Sequence, residues 1–320
     1  MLTWGVPPRW SLSLCLAAGC GFQTPGISGV IDGGVDSPPD VQIDSSIIAP
    51  PSVCLTKWMD GTVQLTPPLQ LAALGSAFSD RDPFITADDL RLYFSSERTG
   101  GGDVYVASRP AVAAPFGVPT LATDLNSIGY DSRVSMTAND LMAVESSARP
   151  GGSGFTDLWI ATRTSTSVGF AGFTRGPFGA TNDADHQLDP EINAAGTRVY
   201  FAYGAPQKIV VLSRPDAASA FGPMVDLLTG SGDSDPALSV DERLILFGST
   251  RAGGPGGGGD IWYTTRASAT TLTLDTPKLV PTVNGAGTDG DPSLSDDGCT
   301  LYFSSYRTGN WELYAATVLP

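Results

Sequence analysis

Residues 79–109 read SDRDPFITADDLRLYFSSERTGGGDVYVASR, and this stretch decides the fold because four similar stretches follow it. The later copies begin at Tyr130, His186, Gly232 and Thr288, at intervals of 46 to 56 residues. Such an interval is typical of one four-stranded blade of a β-propeller. The five copies therefore predict an all-β chain that folds into five four-stranded blades.

Each copy predicts three strands. A short apolar strand is followed by a polar turn, and the second strand is apolar, as in Leu92-Tyr93-Phe94. A Gly-rich hairpin then leads to a third strand that carries an aromatic residue, such as Tyr105. Because proline cannot donate a hydrogen bond to a central ladder, we expect the recurring Asp-Pro at the first residue of the inner strand.

A fourth, outer strand is expected between copies, and a proline marks it. These prolines are Pro68, Pro119, Pro177, Pro223 and Pro277. The chain ends just after the third strand of copy five, so residues 65–74 are expected to supply the outer strand of that blade. Closure of the ring in this way removes exposed sheet edges. A sixth, degenerate blade within residues 53–78 is the alternative.

The composition limits the partners. The chain has 33 acidic and 18 basic residues and a formal net charge of −15, which repels nucleic-acid phosphates. The 38 glycines and 25 prolines favour short strands joined by many turns. We therefore expect no nucleic-acid partner, and we expect a monomer.

The N-terminus predicts export. Residues 1–20 run from a segment with one positive charge, Arg9, into an apolar stretch that is too short to span a bilayer, which is typical of a signal peptide. The string LAAGC at residues 16–20 resembles the lipobox of bacterial lipoproteins. This resemblance implies a lipid on Cys20, and Gly21 then suggests the periplasmic side of the outer membrane or the cell surface. Ordinary secretion is the alternative.

The segment after the lipobox predicts a tether and an oxidising compartment. Residues 21–52 are rich in Gly, Pro, Ser and Asp with few large side chains, so we expect a disordered tether that leads to the propeller at 53–320. Apart from Cys20, the only cysteines after the signal peptide are Cys54 and Cys299. We expect a disulfide between them, with two free thiols as the alternative.

The repeat resembles a known family. The Asp-Pro-x-Leu-Ser-x-Asp turn, the Phe-x-Ser-x-Arg-x-Gly hairpin and the Asp-Ile-Trp strand are similar to the WD-like propeller repeats found in TolB. The resemblance covers residues 65–320 and implies a β-propeller. Six blades are usual in that family, whereas this chain has five copies.

Four arginines recur at one position of the second hairpin, and an acidic residue opens the strand after each. The pairs are Arg98 with Asp103, Arg149 with Asp157, Arg251 with Asp260, and Arg307 with Glu312. In copy three the two positions hold Ala205 and Lys208, so both partners are lost together. We expect a structural ion pair within each blade, because catalytic residues do not normally recur once per blade.

Another aspartate precedes the proline in four copies, and Arg133 takes its place in copy two. These aspartates are Asp82, Asp189, Asp235 and Asp291. We expect them at the mouth of the central channel, where they would cap backbone N–H groups. A role in holding a cation or acting on a sugar is the alternative, because a second acidic position recurs nearby and hard cations prefer several oxygen ligands. The second position holds Asp80, Asp131, Asp233 and Asp289.

The only histidine, His186, precedes copy three. It has no second imidazole with which to hold a metal and no suitably spaced Ser or Cys for a triad, so we expect it on the surface or at the channel rim. Copy three departs from the repeat pattern more than the other copies. A binding site in a ring of repeats is expected where the repeat is broken, so we expect one near this blade.

Two functions remain open. The first is a cell-envelope protein that binds an envelope protein or glycan through the channel mouth, and the second is a glycosidase-like hydrolase that uses carboxylates at the central funnel. The recurrence of every candidate acid favours the first, because catalysis would need a unique acid such as Glu97, Glu145 or Glu191. We predict no catalytic residue, no cofactor and no metal.

Overall fold

The computed structural model describes residues 52–230, 232–255 and 258–320. The predicted signal peptide, Cys20 and nearly all of the predicted tether lie outside these ranges. The described chain begins with helix α1 (Val53–Asp60) and the short strand β1 (Leu69–Gln70). Within the described ranges, the helices fall short of the length and apolarity that a membrane span requires.

Five four-stranded antiparallel sheets follow the repeats. Blade 1 comprises β2 (Asp80–Ile85), β3 (Arg91–Ser96), β4 (Asp103–Ser108) and β5 (Thr120–Leu121). Blade 2 comprises β6 (Asp131–Met136), β7 (Met142–Ser147), β8 (Asp157–Thr162) and β9 (Ala171–Thr174). Blade 3 comprises β10 (Gln187–Ile192), β11 (Arg198–Tyr203), β12 (Lys208–Ser213) and β13 (Val225–Leu228). Blade 4 comprises β14 (Asp233–Leu238), β15 (Leu244–Ser249), β16 (Asp260–Thr265) and β17 (Lys278–Leu279).

Blade 5 combines both ends of the described chain. It consists of β18 (Asp289–Leu294), β19 (Thr300–Ser305), β20 (Glu312–Thr317) and, on its outer side, β1. Leu69 pairs with Ala315 and Gln70 with Tyr314, and an isolated bridge joins Leu65 to Val318. The predicted closure of a five-bladed propeller by the N-terminal segment is confirmed. Residues 53–78 hold a helix and a two-residue strand, so the alternative of a sixth blade there is wrong.

The core is divided among the seams between blades. Each of five clusters of buried apolar side chains joins one blade to the next, and the cluster between blades 4 and 5 also includes Leu55 and Trp58 of α1. Inner strand β18 contacts β2, which completes the ring. Burial of apolar surface therefore stabilises the ring at every seam.

The Asp-Pro motif lies in the middle of the inner strand and not at its first residue, so that prediction is wrong. In β2 the pairing with β3 shifts register between Arg81 and Phe84, and the same shift recurs in the inner strands of blades 3, 4 and 5. Asp82 and Pro83 thus form a β-bulge, which leaves the proline outside the hydrogen-bonded ladder. Because the bulge takes the proline out of the ladder, its missing N–H leaves no ladder hydrogen bond unmade in the middle of the strand.

The prediction for Pro177 is also wrong. Outer strand β9 precedes this proline, which starts a short 3-10 helix, Gly176–Thr181. The other four marker prolines each directly precede, or lie two residues before, an outer strand. Proline suits the first turn of a helix because its missing N–H has no helical partner there.

Helix α1 ties the start of the described chain to blade 5. The Ser52 side chain accepts from the Leu55 N–H at the N-cap, and Gly61 ends the helix in the left-handed conformation with φ of 78°. Cys54 and Cys299 form a disulfide with a Cα–Cα distance of 5.1 Å. The bridge spans 245 residues of sequence and therefore restricts the unfolded chain strongly.

Candidate functional site

The recurring arginines bind a different carboxylate from the one that the spacing suggested. Arg98 lies 2.7 Å from Asp80, the residue that opens inner strand β2, and not on Asp103. The other three arginines repeat this arrangement with Asp131 (3.3 Å), Asp233 (2.5 Å) and Asp289 (2.6 Å). The predicted partners were wrong because Ser96, two residues before Arg98, pairs with both Asp80 and Asp103, and the arginine turns toward the inner strand and not toward the third strand.

A serine completes each of these clusters. In blade 1 the Nε of Arg98 donates to the hydroxyl of Ser96, which is the cross-strand partner of Asp80. The guanidinium also lies over the ring of Tyr105 on the third strand, 4.7 Å from its centroid. The fully buried carboxylate, the serine and the aromatic ring thus hold one arginine in each of blades 1, 2, 4 and 5. This cluster explains the recurring aromatic residue of the third strand.

Blade 3 replaces the whole cluster. Gln187 occupies the aspartate position, Tyr203 the serine position and Ala205 the arginine position. The Gln187 amide donates to Asp183 at 3.0 Å, and the Tyr203 hydroxyl donates to the same carboxylate at 2.7 Å. In blade 3 the arginine is therefore lost together with its actual partner, the buried aspartate that Gln187 replaces.

The acids that open the third strands have separate roles. Asp103 accepts from the Thr99 hydroxyl, and Glu312 lies 3.4 Å from the amide of Asn310. Asp157 accepts from the Ser153 N–H at 2.7 Å and forms a 3.3 Å ion pair with Arg175. Asp260 is buried, and this burial raises its pKa. None of these four contacts is the predicted pair with the recurring arginine.

The four bulge aspartates gather at the channel mouth. Each has a left-handed backbone with φ between 51° and 55°, a conformation that Asp tolerates better than most residues. The members of this group are Asp82, Asp189, Asp235 and Asp291. Asp235 accepts from the N–H of Asp291 at 3.3 Å, and the Ser95 hydroxyl donates to Asp82 at 2.5 Å. Among the described residues, no group of three acids, histidines or cysteines is arranged to hold a metal ion.

Arg133 takes the fifth bulge position and crosses the channel. The residue is only 1% exposed, and its Nη2 donates to the backbone oxygens of Pro292 at 2.9 Å and Pro236 at 3.3 Å. The same atom lies 3.3 Å from the carboxylate of Glu191. One side chain of blade 2 therefore contacts blades 3, 4 and 5 below the aspartates and closes the channel.

Burial and mutual repulsion change the titration of this group. Burial, followed by the charges of Asp235 and Asp82, raises the pKa of Asp189 well above its ordinary value. Burial, followed by Asp82 and Asp235, raises the pKa of Asp291 in the same way. The bulge aspartates therefore lie close enough together to disfavour one another's charged forms.

This raised pKa predicts a pH dependence of stability. An acid whose pKa is higher in the folded state stabilises the fold below its unfolded pKa of 3.8, and this contribution is lost as the pH rises through the folded value. Asp291→Asn has no carboxyl to ionise at this position, so we expect it to keep its stability as the pH rises. The free energy of unfolding of the variant minus that of the natural protein should therefore increase from pH 5 to pH 8. Urea unfolding at both pH values measures this. Glu97→Gln, at an exposed position, is the control and should show no such increase. If Asp291→Asn differs from the natural protein by the same free energy at pH 5 and at pH 8, the raised pKa of Asp291 is contradicted.

Exposed apolar side chains surround the same end of the ring. We call this end the mouth face; it is formed by the loops before the inner strands and the hairpins between second and third strands. Its exposed side chains include Phe78, Ile128, Phe155, His186 and Tyr306. The rings of His186 and Phe155 lie 5.5 Å apart, so the histidine belongs to the rim and not to the carboxyl group.

The opposite end of the channel holds a small cavity with both apolar and polar groups in its wall. Its volume is about 50 Å³, and the last residue of each inner strand contributes a side chain to the wall. These side chains are Ile85, Met136, Ile192, Leu238 and Leu294. The space suits a few water molecules at most. Polar groups, among them the carboxyls of Glu191 and Asp296, also line this cavity.

The three unique acids do not form a pair at the mouth. Glu97 is exposed in a hairpin, and Glu145 is buried beside Arg149. Glu191 faces Arg133 inside the channel, and burial raises its pKa. Each acid therefore has a separate environment.

Solved structures share the fold. The chain matches TolB from Acinetobacter baumannii with 14% identity and a TM-score of 0.49, covering 77% of this chain and 56% of that one, just over half of its length. It matches a thermostable family-43 glycoside hydrolase with 14% identity, a TM-score of 0.54 and coverages of 77% and 90%. The catalytic domain of the Coprinopsis cinerea GH62 α-L-arabinofuranosidase matches with 12% identity, a TM-score of 0.51 and coverages of 80% and 96%.

Sequence comparison gives no closer assignment. No family model matches the chain, and no curated protein matches it significantly. At identities of 12 to 14% the structural matches show a shared architecture only. The chain is therefore a five-bladed β-propeller, and the two glycoside hydrolases share its architecture.

Proposed function

We propose that this chain is a lipid-anchored protein of the bacterial cell envelope that binds an envelope protein or glycan through the mouth face, without catalysis. The observation that carries the proposal is the arrangement of the channel carboxyls. All four occupy one repeat position and are held by the β-bulge, and Arg133 closes the channel beneath them. Such residues build the ring, while the exposed rim above them is available to a partner.

Hydrolysis is the second candidate, and one observation favours it. The Asp189 carboxyl has a raised pKa beside another carboxyl, as an acid catalyst would need. However, Asp189 shares its repeat position and its bulge backbone with Asp82, Asp235 and Asp291, whereas glycosidases use two carboxyls with distinct environments and roles. The geometry therefore favours binding over hydrolysis.

Site-specific photo-cross-linking in living cells tests the proposed face. A photoreactive amino acid at Phe78 or Ile128, both exposed on the mouth face, is expected to give a discrete cross-linked envelope component. The matched control positions are Val118 on the outer edge and Val240 at the opposite end of the channel, which are also exposed. Products that arise from Val240 or Val118 but not from the mouth face would overturn the proposal.

Two further assays address anchoring and catalysis. Metabolic labelling with an alkyne-bearing fatty acid is expected to label the full chain but not Cys20→Ser, and equal labelling of both would exclude the anchor.

Chromogenic arabinosides, xylosides and glucosides are expected to stay intact. Their hydrolysis by the natural protein but not by Asp189→Asn would replace the binding proposal with the hydrolase.

A further inference from the structure

We propose that a pocket between blades 3, 4 and 5 at the mouth face binds one ring of a neutral sugar, with the ring stacked on Trp311. This proposal rests on the proposed function, because it assigns the ligand class of the mouth face. The pocket has a volume of about 190 Å³, and its wall includes Gln207, Asp235, Asp291 and Trp311. Pockets for drug-sized ligands start at roughly 300 Å³, so this one suits a single small ring.

The pocket exists because blade 4 breaks the repeat. The fifth position of the second strand is serine in blades 1, 2 and 5, but it is Gly248 in blade 4. In blade 1 the serine at this position, Ser95, donates to the bulge carboxylate Asp82. A Cβ atom on Gly248 would lie only 2.4 Å from Oδ2 of Asp235. The missing side chain therefore leaves Asp235 half-buried in the pocket wall.

Trp311 is the second break in the repeat. The residue just before the third strand is Gly102, Thr156, Gln207 and Gly259 in blades 1 to 4, and only blade 5 has an aromatic residue there. The Trp311 ring is fixed by two neighbours. The Arg81 guanidinium lies 5.4 Å from its centroid, and the ring of Tyr306 meets it edge-on at 5.7 Å. A partly exposed, immobilised indole beside a polar pocket offers an apolar wall to the C–H face of a sugar ring.

The polar groups of the pocket match hydroxyl groups. Besides the two carboxyls, the wall has the amide of Gln207 and the hydroxyls of Ser234 and Thr288. Amides and hydroxyls donate as well as accept, and so does a protonated carboxyl. A sugar hydroxyl also donates and accepts, so the hydroxyls of a sugar ring can hydrogen-bond to the groups in this wall. A metal cation needs acceptors only, and donors in the wall oppose it.

The charge of the mouth also favours a neutral ligand. Burial and neighbouring carboxylates raise the pKa of Asp189 and Asp291, which disfavours two of the four negative charges in the group. The guanidiniums of Arg81 and Arg133 offset part of the remaining negative charge, since both interact electrostatically with Asp82, and Arg133 also forms an ion pair with Glu191. These effects weaken the attraction of the mouth for an ammonium group, while the remaining carboxylates repel a phosphate.

Saturation-transfer NMR and calorimetry with methyl glycosides of glucose, galactose, xylose, arabinose and N-acetylglucosamine test the proposal on the full chain in detergent. At least one glycoside should bind, with its ring protons shifted upfield by the indole. Trp311→Ala should weaken that binding at least tenfold. Gly248→Ser should do the same, because it restores the serine of blades 1, 2 and 5, fills the pocket and displaces the Asp235 side chain. A retained cooperative thermal unfolding transition is the check that this variant folds.

Matched variants separate the pocket from the face around it. Ala202→Ser makes the equivalent change in blade 3, outside the pocket wall, and Phe155→Ala removes an exposed rim aromatic of blade 2; both should bind the glycoside normally. The sugar proposal is overturned if no glycoside binds, or if binding survives both Trp311→Ala and Gly248→Ser. In either case, mouth-face cross-links that persist would keep the proposed function, whereas their absence would remove it as well.

Discussion

Arg307→Ala is expected to lower the free energy of unfolding by about 3–5 kcal/mol, because it leaves a fully buried carboxylate without its charged partner. The guanidinium lies 2.6 Å from Asp289, whose side chain has no solvent exposure. It also donates to the backbone oxygen of Val283 at 2.8 Å, in the loop that leads to blade 5. Urea unfolding monitored by circular dichroism measures the change.

A second substitution tests the cause of that loss. Blade 3 shows that a neutral residue at the aspartate position is compatible with an absent arginine, so Arg307→Ala combined with Asp289→Gln should recover part of the lost stability. Lys208→Ala provides the control, since its pair with Asp226 is largely exposed and should contribute less than about 1 kcal/mol. If the double variant is as unstable as the sum of both single variants, the buried-charge explanation is wrong.

Trp58→Ala is expected to cost about 3–5 kcal/mol, the range for truncating a buried tryptophan. Trp58 has no solvent exposure and meets the ring of Tyr263 edge-on at 5.2 Å. Its indole N–H donates to the Gly298 oxygen at 3.0 Å. In blades 1 to 4 an arginine at the end of the third strand donates to the equivalent turn oxygen, and blade 5 has Val318 there. Trp58 of helix α1 thus supplies the hydrogen-bond donor that the arginine provides in the other blades and that blade 5 lacks.

Thermal unfolding of two variants on the same helix gives the comparison. Trp58→Phe keeps most of the apolar volume but leaves the Gly298 oxygen unpaired, so it should lose about 1–3 kcal/mol, less than the alanine variant. Thr56→Ala, at an exposed position of the helix, should change stability by less than about 0.5 kcal/mol. A Trp58→Ala protein as stable as Thr56→Ala would show that α1 does not brace blade 5.

The blades and their closure followed from the sequence because each repeat carries its own strand pattern. Pro68 marked β1 through its spacing to the first copy, although β1 itself has only two residues. Helix α1 was missed because it occurs once and is short. A signal was nevertheless present, since the first four copies end in arginine and the fifth does not.

The contacts within the site depend on distances between strands and between blades, and the spacing of the repeats along the sequence does not give these distances. Arg98 and Asp103 are five positions apart, yet Asp80 reaches the arginine from the neighbouring strand, 18 positions away. The reach of Arg133 to Pro292 spans 159 positions and depends on the diameter of the closed ring. The gap at Gly248 was visible in the alignment of the copies, but its meaning depends on where the Asp235 carboxylate points.

The most direct test of the closed ring is a methyl NOE between Leu69 and Ala315 in a methyl-labelled sample. These residues are cross-strand partners in blade 5, which places their Cβ atoms about 4.5–5.5 Å apart. The ring predicts a strong cross-peak between the two side chains. A sample in which Leu69 shows cross-peaks only to its sequence neighbours, or to methyl groups of another blade, would contradict the five-bladed closure.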